Sequence, residues 1–153
     1  ERIEEHHGSI HRLQCTGQCG RAPCLADSVT PTVDTEACQW VGELPSCPAC
    51  GALARPNLLM FGDGEWQGDE FEHQATRMRQ WLRSVHRPVV VELGAGTAIP
   101  SVRYFSERVI CDHGGRLVRI NPREATVPTP FDVGLPMSSV QALRLIDSVI
   151  EFA

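Results

Sequence analysis

The sequence contains no apolar run close to the roughly 20 residues that a membrane-spanning helix requires. It has no excess of basic residues either: the formal net charge is −5, which argues against direct nucleic-acid binding. A signal peptide and an even number of cysteines, both typical of secreted disulfide frameworks, are also missing. Apolar residues nevertheless make up 42% of the chain, enough for a folded domain with a core. We therefore expect a reduced, cytoplasmic protein without membrane association.

Four of the seven cysteines form two close pairs, and each pair ends in a Cys-Gly step. The pairs are Cys15 with Cys19 and Cys47 with Cys50. Glycine after a pair permits the positive φ of a tight metal-binding turn. Four thiolates satisfy tetrahedral zinc at about 2.3 Å and leave no position for water, so we expect a structural zinc ion. The alternatives are two local disulfides or unrelated buried thiols, and Cys24 or Cys38 could replace one ligand.

The cysteine-rich stretch separates two other parts of the chain. Residues 15–55 lack the apolar periodicity needed to bury a core, and we interpret them as an inserted zinc-ribbon module that depends on its metal. Residues 1–14 precede it and are rich in histidine. Residues 56–153 follow it and show an α/β pattern.

The α/β pattern predicts a βαβ unit. Apolar residues recur at steps of three and four over 69–86, which predicts a helix. Residues 89–93 are apolar except for Glu92, a pattern typical of a parallel strand covered on both faces. A helix that Ser101 could cap and a strand at 117–121 complete the unit.

Shorter segments extend this prediction. We expect a strand at 57–61 that ends in the Gly62 turn, a possible strand at 131–133 and a last helix beginning after Ser138. The apolar residues Val140 and Leu143 would lie on the buried face of that helix. The predicted fold class is therefore α/β, a partial Rossmann-like parallel sheet with an inserted four-cysteine zinc module.

Two parts of the sequence contain residues that could bind a ligand or transfer a proton. A strand-to-helix turn with Gly94 and Gly96 could cradle a phosphate with backbone N–H groups, and Asn121 at the end of the next strand could read a ribose hydroxyl. The full glycine pattern of dinucleotide sites is absent, and Asn121 could instead simply form a turn before proline. His7 could act as a general base, although His6 and His11 have the same chemistry.

Taken in order, several motifs resemble the sirtuins, which are NAD-dependent protein lysine deacylases. The motifs are Glu5-His6-His7-Gly8-Ser9, the two cysteine pairs, Arg55-Pro56-Asn57-Leu58-Leu59-Met60-Phe61-Gly62-Asp63, Gly94-Ala95-Gly96-Thr97 and Ile120-Asn121. The resemblance covers nearly the whole chain.

The resemblance implies a role for each matching residue. It implies that His7 is the general base and that the four paired cysteines bind zinc. The implied NAD contacts are Gly94, Ala95, Gly96, Asn121 and Arg123. The implied binding segment for the acyl-lysine peptide is a strand containing Leu59, Met60, Phe61, Gly62 and Asp63. The implied cofactors are structural zinc and NAD as co-substrate, and the implied partner is an acylated-lysine protein or peptide.

The sequence also departs from the sirtuin pattern. Asp63 replaces a glutamate, Gly96 replaces a serine, and Arg123 replaces an acidic residue, with Glu124 one position later. An earlier glycine-rich loop and a Gln-Asn-x-Asp motif are absent, and the chain opens at Glu1. We therefore expect it to be the C-terminal part of a larger enzyme, whose site a preceding segment completes.

The leading hypothesis is NAD-dependent lysine deacylation, with transfer of the acyl group to ADP-ribose and release of nicotinamide. An ADP-ribosyltransferase or an NAD hydrolase would use the same residues. A non-catalytic zinc-ribbon binding module is the third alternative.

Overall fold

The structure is a computed structural model that describes residues 2–150. It divides into two compact units, Glu1–Gln80 and Trp81–Ala153, and each is described by itself. Within residues 2–150, every helix is too short or too polar to cross a bilayer.

The first unit is built on a small antiparallel sheet. Its central strand β1 (Gly8–Cys15) pairs with β2 (Cys24–Leu25) on one side, and with β5 (Ala54–Leu58) on the other. Strands β3 (Thr32–Asp34) and β4 (Gln39–Val41) form a separate hairpin. Helix α1 (Asp69–Leu82) begins with acidic residues, which favour a helix N-terminus, and ends earlier than the predicted 69–86.

The predicted strand at 57–61 is wrong in its bounds and in its sheet. The strand is β5, which ends at Leu58 and runs antiparallel to β1 rather than joining a parallel sheet. The chain then turns, because Gly62 has φ +71° and the N–H of Asp63 donates to Met60 O at 3.1 Å. Residues 59–63 are therefore not a strand, and the apolar run reflects an exposed turn in which Phe61 is 94% exposed.

The second unit contains the predicted parallel sheet. Strand β6 (Val89–Leu93), helix α2 (Ser101–His113) and strand β7 (Arg116–Ile120) form the βαβ unit. Strand β8 (Val133–Leu135) adds parallel to β7, slightly later than expected, and helix α3 (Ser139–Val149) follows. This architecture confirms the predicted fold class.

The ends of the two helices in this unit differ in how they are capped. Helix α3 begins after Ser138 as expected, and Ser138 caps it, because its hydroxyl accepts the N–H of Gln141 at 3.4 Å. Ser101 does not cap α2: it is the first helical residue, and the cap position is Pro100, which makes no side-chain bond. Helix α2 ends at His113, and the next residue, Gly114, provides the C-cap with its left-handed φ of +63°.

The core of the second unit lies between β7 and α2. Leu117 and Ile120 of β7 are completely buried and point to opposite faces of the sheet, and Val109 and Ile110 of α2 are buried as well. The expectation that β6 is covered on both faces is wrong for the described residues, because Val89 is 66% exposed and Val91 48%. The expected buried face of α3 is also largely exposed, since only Ala142 of that helix is buried. Apolar pattern alone does not show which face another element covers.

Candidate functional site

The four predicted zinc ligands come together in the first unit. Their sulfur atoms all lie within 4.8 Å of one another, with Cys15 Sγ 3.5 Å from Cys50 Sγ and Cys19 Sγ 3.7 Å from Cys47 Sγ. Tetrahedral zinc with bonds of about 2.3 Å holds its sulfurs about 3.8 Å apart. A disulfide needs about 2.05 Å, so the spacing fits a metal and not the disulfide alternative.

The backbone around these four cysteines favours zinc binding. Gly20 and Gly51, which follow the two pairs, adopt φ values of +76° and +74°, as the predicted turns require. Backbone N–H groups of Ala49 and Cys50 lower the pKa of Cys47 to about 6, which favours the thiolate that a metal binds. The four cysteines fit a closed structural zinc site, and the alternative ligands Cys24 and Cys38 lie outside the cluster.

The candidate base His7 precedes a glycine that the fold requires. Gly8 has φ +79°, and a Cβ atom there would lie 2.0 Å from the carbonyl oxygen of Asn57. The His7 carbonyl accepts the N–H of Leu59 at 2.9 Å, so the first residue of the candidate peptide-binding segment lies directly beside His7. Because β1 is bulged between Ser9 and Leu13, Gly8 and Cys15 pair with residues only four steps apart on β5, which places the zinc cluster on the order of 13 Å from Gly8.

The imidazole of His7 is exposed to solvent. It packs edge-on against His6, with ring centroids 4.9 Å apart, and His6 in turn packs against Phe71 of α1 at 5.2 Å. The preceding backbone is anchored by Gln74, whose Oε1 accepts the N–H of Glu5 at 2.6 Å. Contacts with α1 therefore hold residues 5 and 6 in place, while the His7 ring stays exposed to solvent.

The candidate peptide-binding segment is held by an ion pair that sequence reasoning did not anticipate. Arg55 Nη2 lies 2.6 Å from Asp63 Oδ2, and Arg55 Nη1 donates to the Leu58 carbonyl at 3.1 Å. Burial would raise the pKa of Asp63, but the hydrogen bond and charge of Arg55 outweigh it and lower that pKa. Asp63 therefore remains ionised and fixes the turn.

A buried pair of side-chain amides, Asn57 and Gln14, holds the loop at residues 65–67, and the sequence did not predict this pair. Asn57 Nδ2 donates to Gln14 Oε1 at 2.8 Å and to the Gln67 carbonyl at 3.0 Å. Gln14 Oε1 also accepts the N–H of Gln67, and Gln14 Nε2 donates to the Glu65 carbonyl. Both amides are buried polar residues on facing strands, a signal visible in the sequence only once β1 and β5 are known to pair.

In the second unit, the predicted turn follows β6. Gly94 has φ +69°, and its N–H donates to the Ile120 carbonyl at 2.9 Å. The Ala95 carbonyl accepts from Asn121 Nδ2 at 3.1 Å and from buried Arg103 through Nε at 3.1 Å and Nη2 at 2.9 Å. Asn121 therefore holds the turn, and its Oδ1 accepts the N–H groups of Arg123 and Glu124.

Glu124 bonds to Thr97 at the C-terminal end of this turn. Its carboxylate accepts the N–H of Thr97 at 3.1 Å and also the Thr97 hydroxyl proton, and mainly the hydroxyl contact lowers the pKa of Glu124. The N–H groups of Ala95 and Gly96 have no partner in the part of the chain that the structure describes. The Arg123 side chain is exposed. The structure brings the predicted residues Ala95 and Asn121 together, whereas Arg103 was not predicted, because its position on α2 gave no motif.

The chain resembles known proteins in sequence and in structure. No protein-family model matches the chain. The NAD-dependent protein deacylase of Pyrococcus furiosus is 35% identical over 150 residues, which cover 96% of this chain and 54% of the relative. Over this part of their length, the chain is similar to the NAD-dependent protein deacylases of the sirtuin family. NAD-dependent protein deacylase 2 of Pyrobaculum aerophilum is 27% identical over 148 residues, 96% of this chain and 51% of that protein.

Solved structures show the same fold. A Sir2 protein bound to a propionylated peptide superposes with a TM-score of 0.57 at 20% identity, covering 94% of this chain and 54% of that one. A mutant Sir2 homologue in complex with ADP-ribose gives a TM-score of 0.56 at 20% identity, covering 98% and 55%. The chain thus spans about half the length of the relatives it matches.

Proposed function

We propose that this chain is part of an NAD-dependent protein lysine deacylase that moves the acyl group from lysine to ADP-ribose and releases nicotinamide. The observation that carries the proposal is the hydrogen bond between the His7 carbonyl and the Leu59 N–H. It joins the candidate base directly to the segment proposed to bind the acyl-lysine peptide. The named relatives are NAD-dependent protein deacylases, which supports the same reading.

The turn of the second unit, residues 94–97, offers hydrogen-bond donors suited to one of the two riboses of NAD. The free N–H groups of Ala95 and Gly96 and the remaining amide proton of Asn121 are donors suited to hydroxyl or carbonyl oxygens. The Glu124 carboxylate occupies the Thr97 N–H, so a phosphate placed there would meet a negative charge. We assign the ribose rather than the phosphates to this turn.

The chain's own residues would act by positioning and by proton transfer. Bound NAD supplies an electrophilic ribose carbon and nicotinamide as leaving group. His7 would accept a proton from a ribose hydroxyl at an imidazole nitrogen. The backbone of residues 59–63, fixed by Arg55, would orient the acyl-lysine, and the zinc module would hold β1 in place.

The test is nicotinamide release from NAD with an acetyl-lysine peptide, using the protein in its natural length. His7→Ala should lose activity by about two to four orders of magnitude, the usual contribution of a general base. His11→Ala is the matched control and should keep activity, because this exposed histidine lies on β1 outside the site. Equal activity of wild type and His7→Ala would remove His7 as the base.

The product separates deacylation from the alternatives. Deacylation yields deacylated peptide and acylated ADP-ribose in equal amounts. Nicotinamide release without peptide deacylation would instead indicate an NAD hydrolase or an ADP-ribosyltransferase.

A further inference from the structure

The β3–β4 hairpin, residues 32–41, is exposed on both faces in the described structure. All six of its strand residues are solvent-exposed. Val33 lies directly opposite Trp40, and the two are 51% and 36% exposed, so an aromatic–aliphatic pair faces solvent. An isolated two-stranded hairpin is only marginally stable in water, and burial of such a pair would stabilise it.

The hairpin is nevertheless well defined at its tip. Asp34 Oδ1 accepts the N–H groups of Glu36 and Ala37, both at 3.0 Å. Cys38 adopts a left-handed φ of +52° that closes the loop. The hairpin therefore presents a preformed surface.

The charge around the hairpin has one sign. Between Arg21 and Arg55 the sequence has no basic residue and four acidic ones. These are Asp27, Asp34, Glu36 and Glu43. All four are exposed, and none forms an ion pair within residues 2–150. The stretch of chain that carries the apolar pair is therefore acidic and has no basic residue of its own.

We propose that the hairpin docks an extended, lysine- or arginine-rich segment of the target protein, with an apolar side chain packed on Val33 and Trp40. Charge complementarity selects this partner, because a basic side chain gains from the surrounding carboxylates and from the Trp40 ring face. The proposal rests on the proposed function only in identifying the partner as the lysine-bearing substrate protein. It concerns a surface separate in sequence from residues 59–63.

The experiment measures binding without NAD and without any acyl group, so it does not depend on catalysis. The probe is a fluorescein-labelled peptide of about twelve residues made of lysine, valine and glycine, and the reference probe replaces lysine with glutamate. The protein is used in its natural length and zinc-loaded. The basic probe should bind, and its affinity should fall as salt rises from about 50 to about 300 mM, while the acidic probe should not bind.

Two hairpin variants and one charge-matched control locate the surface. Glu36→Gln with Glu43→Gln should weaken binding about fivefold, and Trp40→Ser should weaken it about tenfold. Asp112→Asn with Asp147→Asn removes the same charge from exposed helical positions in the second unit and should change affinity less than about twofold. Retained zinc content in each variant shows that the exposed substitutions leave the module folded.

Cross-linking identifies the contact directly. Carbodiimide couples carboxylates to lysine amines; residues 1–153 contain no lysine, and cross-links to the probe are recognised by its fluorescein label. Cross-links should map to Glu36 and Glu43. The proposal is overturned if the control pair weakens binding as much as the hairpin pair, or if Trp40→Ser binds like wild type. It is also overturned if the wild type self-associates through the hairpin, because the occupant is then a second copy.

Discussion

Replacing Gly8 with alanine tests how the fold positions the candidate base. Gly8 and Gly20 have nearly the same backbone conformation, with φ of +79° and +76°. A Cβ at Gly20 would meet nothing within 4 Å, whereas at Gly8 it would lie 2.0 Å from the Asn57 carbonyl oxygen. Gly20→Ala should therefore cost only the left-handed conformation, about 1–2 kcal/mol.

Gly8→Ala adds a collision to that cost. The Asn57 carbonyl would have to withdraw by about 1 Å, yet Asn57 is buried and its side chain is bonded to Gln14 and Gln67. Overpacking of this kind costs about 1–3 kcal/mol, so the total should be about 2–5 kcal/mol. Displacing the His7 carbonyl from Leu59 by a similar distance should also reduce activity up to about a hundredfold.

Urea unfolding and nicotinamide release measure the two effects, with zinc content checked in both variants. The expected result is a larger loss of unfolding free energy in Gly8→Ala than in Gly20→Ala, and a loss of activity only in Gly8→Ala. If the two variants are equally destabilised, the close approach of Gly8 to Asn57 is refuted. If Gly8→Ala keeps full activity, the placement of His7 does not depend on this turn.

Three further outcomes are expected. Cys47→Ser should reduce zinc from about one equivalent per chain and destabilise the protein, whereas Cys38→Ser should leave metal content unchanged, as elemental analysis will show. Arg119→Gln should lower the unfolding free energy by about 3–5 kcal/mol, because Arg119 pairs with a carboxylate that is almost completely buried, while exposed Arg144→Gln should change it by less than about 0.5 kcal/mol in the same denaturation assay. Ser138→Ala should cost about 0.5–1 kcal/mol and reduce helical circular dichroism, since its hydroxyl caps α3.

The sequence by itself determined the features that depend on local spacing. Two cysteine pairs each followed by glycine can form two metal-binding turns wherever the module lies, because the positive φ after each pair is a local property. The βαβ unit was also predictable, since a largely apolar strand, a helix and a second strand leave few possible connections, and these are right-handed. The order of the motifs then indicated a resemblance to the sirtuins, which the similar deacylases bear out.

Only the tertiary structure decided which strand pairs with which and which polar groups meet. Residues 57–61 looked like a parallel strand, but β5 pairs with β1 and the apolar residues after it form a turn, because pairing partners are set by contacts distant in sequence. Arg103 and Glu124 lie on a helix and a loop with no motif, yet they hold the Gly94 turn through hydrogen bonds that exist only once β6, β7 and α2 have packed. Local pattern specifies elements and metal-binding turns, whereas the placement of polar side chains around the site depends on the packed arrangement of those elements.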